Sequence, residues 1–136
     1  MGRIVAIDYG RKRTGLAVTD PLRIIATALE TVPTNELLNF LKVYTQKETV
    51  DEFVIGMPKT LRNEDSENAP FVREFIVALK ASFPGKPVYE ADERFTSSIA
   101  QRAMIDGGMK KKDRQVKGNV DKISAVLILQ AYMEQR

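Results

Sequence analysis

The stretch that decides the fold is residues 3–20, which read Arg3-Ile-Val-Ala-Ile-Asp-Tyr-Gly-Arg-Lys-Arg-Thr-Gly-Leu-Ala-Val-Thr-Asp20. Its first part, Arg3–Tyr9, is rich in apolar β-branched residues and predicts a buried strand. The polar segment Gly10–Thr14 predicts a turn, and Gly15–Thr19 predicts a second strand that pairs with the first as a hairpin. Asp8 therefore falls at the end of a buried strand, where an unpaired carboxylate is costly.

Beyond this hairpin the apolar pattern predicts further strands over Ile24–Thr31, Glu52–Gly56 and Pro87–Ala91. It also predicts four helices, which begin near Thr34 or Asn35, after Asn68, at Thr96 or Ser97, and at Asp121. The second helix has an apolar stripe of Phe71, Val72, Phe75, Ile76, Leu79 and Phe83, and the third stops at Gly107-Gly108. The order β-β-β-α-β-α-β-α-α predicts an α/β fold with a mixed sheet of about five strands and helices on both faces.

The composition excludes several kinds of chemistry. The 136 residues contain no Cys and no His. Disulfides, Ser-His-Asp and Cys-His catalysis, and nitrogen or sulfur metal ligands are therefore excluded. Any metal site must consist of oxygen ligands, which favour Mg²⁺ or Mn²⁺.

The organisation of the chain is simple. No internal repeat and no Pro/Gly/Ser-rich linker divides residues 1–136, so one domain is expected. The chain starts without the apolar region of a signal peptide, and no run approaches the ~20 apolar residues that span a bilayer. We therefore expect a soluble cytoplasmic protein that does not contact membranes.

The charge is unevenly distributed. Residues 31–93 carry seven Lys/Arg and eleven Asp/Glu, whereas residues 94–122 carry eight Lys/Arg and three Asp. The basic part centres on Lys110, Lys111, Lys112, Arg114 and Lys117. A local basic segment predicts an anionic partner, with nucleic acid the first candidate, although a solvated Lys-rich loop is the ordinary alternative.

Each carboxylate that might carry chemistry also has an ordinary structural explanation. Asp8 could pair with an arginine of the following turn, and Asp92 or Glu93 could neutralise Arg94. Asp121 could cap the last helix. Together, however, clustered carboxylates raise one another's pKa and are a liability without a cation. A divalent ion turns such a cluster into a site for phosphodiester hydrolysis that needs no histidine.

Four collinear segments carry a family resemblance that covers essentially the whole chain. They are similar to motifs of the YqgF family, also called the RuvX family of Holliday junction resolvases, within the RuvC-like and RNase H-like nucleases. The matching segments are Asp8–Asp20, Gly56-Met-Pro58, Asp92-Glu-Arg-Phe-Thr96, and Lys117 together with Asp121–Leu129. The chain departs from the family pattern at Thr60, Asn63 and Ser124, where Asn, Gly and Ala are common, and its loop 57–67 is slightly longer.

The resemblance implies an RNase H-like fold, Mg²⁺ or Mn²⁺ as cofactor, and a site formed by Asp8, Glu93 (or Asp92) and Asp121. It implies either 5′-end processing of precursor 16S rRNA, the favoured role, or resolution of four-way DNA junctions. The nucleic acid would be structured RNA or branched DNA. Arg13, Arg94 and the basic residues from Lys110 to Lys117 would then contact the nucleic-acid backbone.

Two other classes of protein are weighed against the nuclease. A strand, Asp-x-Gly and a hairpin also open the actin and sugar-kinase ATPases, but those need two such domains and 136 residues leave no room for the second. A non-catalytic nucleic-acid-binding module is the other alternative, although its carboxylates would repel phosphate. The chain could be a monomer or a homodimer; a symmetric junction favours a dimer.

Overall fold

The hairpin at the start of the chain forms half of the central sheet. The computed structural model describes residues 2–57, 69–92 and 117–134, except for the side chains at positions 57, 92, 117–122 and 134. The strands are β1 (Arg3–Asp8), β2 (Arg13–Thr19), β3 (Ala26–Pro33), β4 (Val50–Met57) and β5 (Val88–Asp92). They form one five-stranded sheet in the order β3-β2-β1-β4-β5.

The directions of the strands follow from their connections. β1, β2 and β3 are joined by short turns and pair antiparallel. β4 and β5 follow helical segments and pair parallel to β1 and to β4, respectively. The predicted mixed sheet is confirmed.

Helices cover both faces of this sheet, as predicted. A 3₁₀ turn at Thr34–Glu36 leads into α1 (Leu37–Lys47); α2 is Ala69–Ser82 and α3 is Lys117–Glu134. One core contains residues of α1 and α2 packed on Val5, Ile7, Leu16, Phe53 and Ile55. The other contains Ala125, Ile128 and Leu129 of α3 packed on Ile4, Ala6, Ala17 and Val54. The alternation of each strand supplies both cores, because neighbouring residues face opposite sides.

The predicted start of the last helix is wrong. Lys117 is the first residue of α3, so the helix begins four residues before Asp121. The turn-forming pair Gly118-Asn119 lies within the helix, where the apolar stripe that packs on the sheet outweighs its weak helix propensity. Asp121 therefore occupies the second turn and cannot be the N-cap.

The predicted cap of the first helix is also wrong. Neither Thr34 nor Asn35 caps it, since α1 begins at Leu37 without a side-chain cap. The Thr34 hydroxyl instead donates to the carbonyl oxygen of Gly10 at 2.5 Å and lies 2.9 Å from the Thr14 hydroxyl.

Phe71 does not belong to the buried stripe of α2. It is 40% exposed, whereas Ala69, Val72 and Leu79 are fully buried. One residue advances the helix by about 100°, which turns position 71 away from the sheet. The predicted helix that ends at Gly107-Gly108 and the polar positions 58–67 lie outside the described residues.

Candidate functional site

Asp8 ends β1 at one edge of the sheet. It is partly buried and pairs in register with Gly15 of β2. Strand alternation gives Asp8 the same face as Ile4 and Ala6, which pack beneath α3. The carboxylate therefore belongs to the α3 side of the sheet, at the ends of the parallel strands, where open α/β sheets bind ligands.

The last residue of β5 lies at the same edge. In the parallel ladders Ile7 pairs with Ile55, and Met57 pairs with Asp92. β4 separates β1 from β5, so the ends of these two strands lie about 10 Å apart. The structure thus brings the backbone of Asp92, the first residue of the Asp-Glu-Arg segment, to the edge where Asp8 lies.

The direction of α3 determines where position 121 lies. Near its C-terminal end, Gln130 and Met133 line a groove with Ile24, Ile25 and Ala26. Ala26 pairs with Thr19, near the end of the sheet where β1 begins. The N-terminal turns of α3 therefore extend toward the opposite edge, where β1 ends.

The spacing along α3 agrees with this placement. Eight residues of helix from Leu129 back to Asp121 span about 12 Å. The four residues of strand from Ile4 to Asp8 span about 13 Å. The sheet-facing side of α3 carries the buried residues Ala125, Ile128 and Leu129. Position 121 lies four residues before Ala125 and therefore on the same side of the helix.

Among the four predicted metal ligands, the structure describes the side chain of Asp8. Among the side chains that the structure describes, no three Asp or Glu residues approach closely enough to hold an ion. The side chains of Asp92 and Asp121, and the whole of Glu93, are not among them. The four-residue ligand set thus stays a prediction, with a backbone arrangement that brings Asp8, Asp92 and Asp121 toward one edge.

The predicted nucleic-acid contacts are described only in part. Arg13 is the first residue of β2 and is partly exposed, and Lys117 is the first residue of α3. The other predicted contacts, Arg94, Lys110, Lys111, Lys112 and Arg114, lie outside the described residues.

The structure adds one feature that the sequence interpretation missed. Arg11, in the turn between β1 and β2, is exposed, and its guanidinium carbon lies 5.0 Å from the centre of the Phe71 ring. In the sequence, the run Arg11-Lys12-Arg13 indicates an exposed, positively charged turn. Its aromatic partner comes from a distant helix, so no local pattern could pair them.

The turn that presents Arg11 is fixed on several sides. The backbone N–H of Thr34 donates to the carbonyl oxygen of Lys12 at 3.0 Å. Tyr9 stacks on Phe75 of α2 with 5.2 Å between ring centres. Burial, and to a smaller extent the negative charge of Glu74, raise the pKa of the Tyr9 hydroxyl. Tyr9 therefore stays neutral around pH 7 and anchors the turn by packing.

Comparison with known proteins agrees with this architecture. The model of the RuvX family, described as Holliday junction resolvase, matches residues 2–135. A protein of Bacteroides thetaiotaomicron provisionally named a pre-16S rRNA nuclease is 57% identical over 136 residues, covering 100% of this chain and 99% of its own length. A Flavobacterium johnsoniae protein with the same name is 47% identical, with coverages of 100% and 99%.

The solved structure of T. thermophilus RuvC, in complex with a Holliday junction substrate, has the same fold. Its TM-score is 0.59 at 18% identity, and the match covers 98% of this chain and 96% of that one. The sheet and helices therefore define an RNase H-like domain of the RuvC type. The family match and the close relatives go further: the chain belongs to the RuvX family. The prediction of a nuclease, a hydrolase of phosphodiester bonds, is thereby confirmed at the level of the family. None of the helices in the described parts of the chain is long and apolar enough to cross a membrane.

Proposed function

We propose that this chain is a metal-dependent nuclease that acts in 5′-end processing of precursor 16S rRNA. The observation that carries the proposal is full-length identity of 57% to a relative provisionally named for that activity. The chain would act as a single domain, which the match of the family model to residues 2–135 supports. Its site of action would be the cytoplasm, where rRNA precursors are processed.

Three carboxylates would form the centre of the site. Asp8, Asp121 and either Glu93 or Asp92 would hold Mg²⁺ or Mn²⁺. Ala91 packs on the α3 side of the sheet, the side to which Asp8 belongs. β5 ends at Asp92, and its alternation continued by one residue would give position 93 the face of Ala91, so we favour Glu93 over Asp92 as the ligand.

The donor set suits a hard divalent ion, because every candidate ligand is a carboxylate. When bound, such an ion activates water and stabilises the leaving oxygen in phosphodiester hydrolysis. The work of the protein is to hold the carboxylates at a fixed spacing. β1 and the end of β5 would supply two of them from one sheet, and the packing of α3 would position the third.

Basic residues would hold the substrate. Arg13 and Lys117 are in elements that border the site, and Arg94, Lys110–Lys112 and Arg114 complete the predicted contacts. Their charges would bind phosphates without regard to sequence, so affinity should fall steeply as salt rises.

Resolution of four-way DNA junctions is the second candidate. The family description and the fold of a RuvC bound to a Holliday junction favour it. A symmetric junction requires two active sites related by a dyad, so this candidate predicts a homodimer, whereas a single cut in RNA can be made by a monomer.

The test is cleavage of a precursor 16S leader transcript and, separately, of a four-way DNA junction, each with Mn²⁺. We expect wild type to cut the leader and Asp8→Asn to lose about a hundredfold or more in rate. Glu90→Gln, an acid-to-amide change at an exposed position of β5, is the matched control and should retain full activity.

The same assay distinguishes the two acidic neighbours. Glu93→Gln should abolish cleavage and Asp92→Asn should weaken it far less. Undiminished cleavage by Asp8→Asn would overturn the site assignment. Cutting of the junction alone would replace the rRNA role by the DNA one.

A further inference from the structure

An exposed aromatic ring lies beside the turn that follows Asp8. Phe71, in the first turn of α2, is 40% exposed although its neighbours Ala69 and Val72 are fully buried. An exposed ring at this place can contact a ligand that approaches the turn. Its described ring contact is with Arg11, whose guanidinium carbon is 5.0 Å from the ring centre.

The pair presents a cationic and aromatic surface. Arg11 and Phe71 are both exposed, so a further planar group can reach the ring and the guanidinium. Bases that are not paired in a duplex stack on arginine and aromatic faces in this manner.

This surface is held in place before any ligand arrives. The carbonyl oxygens of Gly10 and Lys12, which flank Arg11, both accept hydrogen bonds from Thr34. Stacking of Tyr9 on Phe75 fastens the same turn to α2, the helix that carries Phe71. A preorganised surface binds with less loss of conformational entropy.

The distance to the active site limits which nucleotide can be bound. Arg11 follows Asp8 by three positions, so their Cα atoms are at most about 11 Å apart. A stacked strand rises about 3.4 Å per nucleotide, so this reach corresponds to about three nucleotides. Such a strand would pass over the end of the sheet, from the α3 side to which Asp8 belongs to the side on which α2 packs.

We propose that Arg11 and Phe71 form a stacking platform for an unpaired base within about three nucleotides of the scissile phosphate. The platform makes single-stranded or unpaired nucleic acid, rather than continuous duplex, the substrate class. This inference rests on the proposed nuclease site and deepens it.

A tryptophan can report on the platform, because the chain contains no Trp. Phe71→Trp places the only indole on the platform, and Val77→Trp places it elsewhere on α2, at a residue that is 69% exposed. We expect a single-stranded RNA to quench the fluorescence of Phe71→Trp and to leave that of Val77→Trp nearly unchanged. The same sequence annealed into a duplex should quench neither.

Binding gives the second measurement. Phe71→Leu keeps an apolar side chain but removes the aromatic face, so it should bind single-stranded RNA roughly tenfold more weakly. Phe71→Trp should bind like wild type. A merely structural clamp between the hairpin and α2 would lower the melting temperature of Phe71→Leu without changing its affinity.

The outcomes separate the two proposals. Equal quenching of both tryptophans, quenching by duplex as strong as by single strand, or wild-type affinity of Phe71→Leu would each overturn the platform. Selective quenching without any cleavage by wild type would uphold the platform and overturn the nuclease assignment.

Discussion

Replacing Ala125 by Leu tests whether the packing of α3 positions Asp121. Ala125 is fully buried and faces a floor that includes Ala6 and Ala17, which are also fully buried. Three small residues at one interface allow the helix to approach the sheet closely. Ala125→Leu adds three carbon atoms at a packed position without access to solvent. Such overpacking typically lowers the free energy of unfolding by about 1–3 kcal/mol.

The helix can accommodate the larger side chain only by moving away from the sheet. Asp121 lies four residues earlier, about 6 Å along the same helix, and must move with it. A misplacement of about 1 Å at a reacting centre costs on the order of a hundredfold in rate. We therefore expect a folded variant that is destabilised by about 1–3 kcal/mol and cleaves about a hundredfold more slowly.

The assay combines urea denaturation with cleavage of the leader transcript at fixed Mn²⁺. Ala81→Leu makes the same change at an exposed position of α2 and should alter stability by no more than about 0.5 kcal/mol, with full activity. If Ala125→Leu is destabilised as expected but cleaves at the wild-type rate, the reasoning is refuted. The packing of α3 on the sheet would then not determine the position of a group that cleavage requires.

Two further predictions concern the turns that frame the sheet. A Cβ atom added at Gly10 would overlap the backbone carbonyl oxygen of Arg13, whereas a Cβ added at Gly85 would have nothing within 4 Å. Gly10→Ala should therefore lower the melting temperature by several degrees, and Gly85→Ala should not. The Asp51 carboxylate accepts hydrogen bonds from the backbone N–H of Gly2 at 2.8 Å and from Arg23 at 2.6 Å, which lower its pKa in the folded state. The stabilisation by the ionised carboxylate is present above the ordinary Asp pKa near 3.9 and is lost as the pH falls through the lowered pKa. Asp51→Asn should therefore be less stable than wild type at pH 7. Equilibrium unfolding at a series of pH values should show this difference in stability disappearing below about pH 4.

Strand prediction succeeded where the signal was local. β1 to β5 fall where runs of apolar residues lie between polar turns, with ends that differ from prediction by at most two residues, because the pairing with neighbouring strands sets where each strand begins and ends. Helix starts were less predictable. Gly118 and Asn119 are weak helix formers, and yet α3 includes them because its buried stripe packs on the sheet.

The candidate site divides in the same way. Asp8 was a candidate from the sequence because a carboxylate at the end of an apolar strand is unusual, and its case depended on the further carboxylates at positions 92, 93 and 121. Arg11 and Phe71 were not, since cation–π contacts depend on how the β1–β2 turn meets α2. Phe71 was assigned to the core because it lies at helical spacing from Phe75, but it is at the margin of the buried stripe and is 40% exposed.

By itself the sequence determined the chemistry and the local elements of this protein. The absence of His and Cys leaves only oxygen ligands, and the motifs at Asp8, Asp92 and Asp121 identify the family. Only the tertiary structure decided the order of the strands, which inserts β4 between β1 and β5, and the side of the sheet on which α3 packs. The reason is physical: strand pairing and helix packing gain their free energy from contacts between distant residues, and local propensity does not contain that energy.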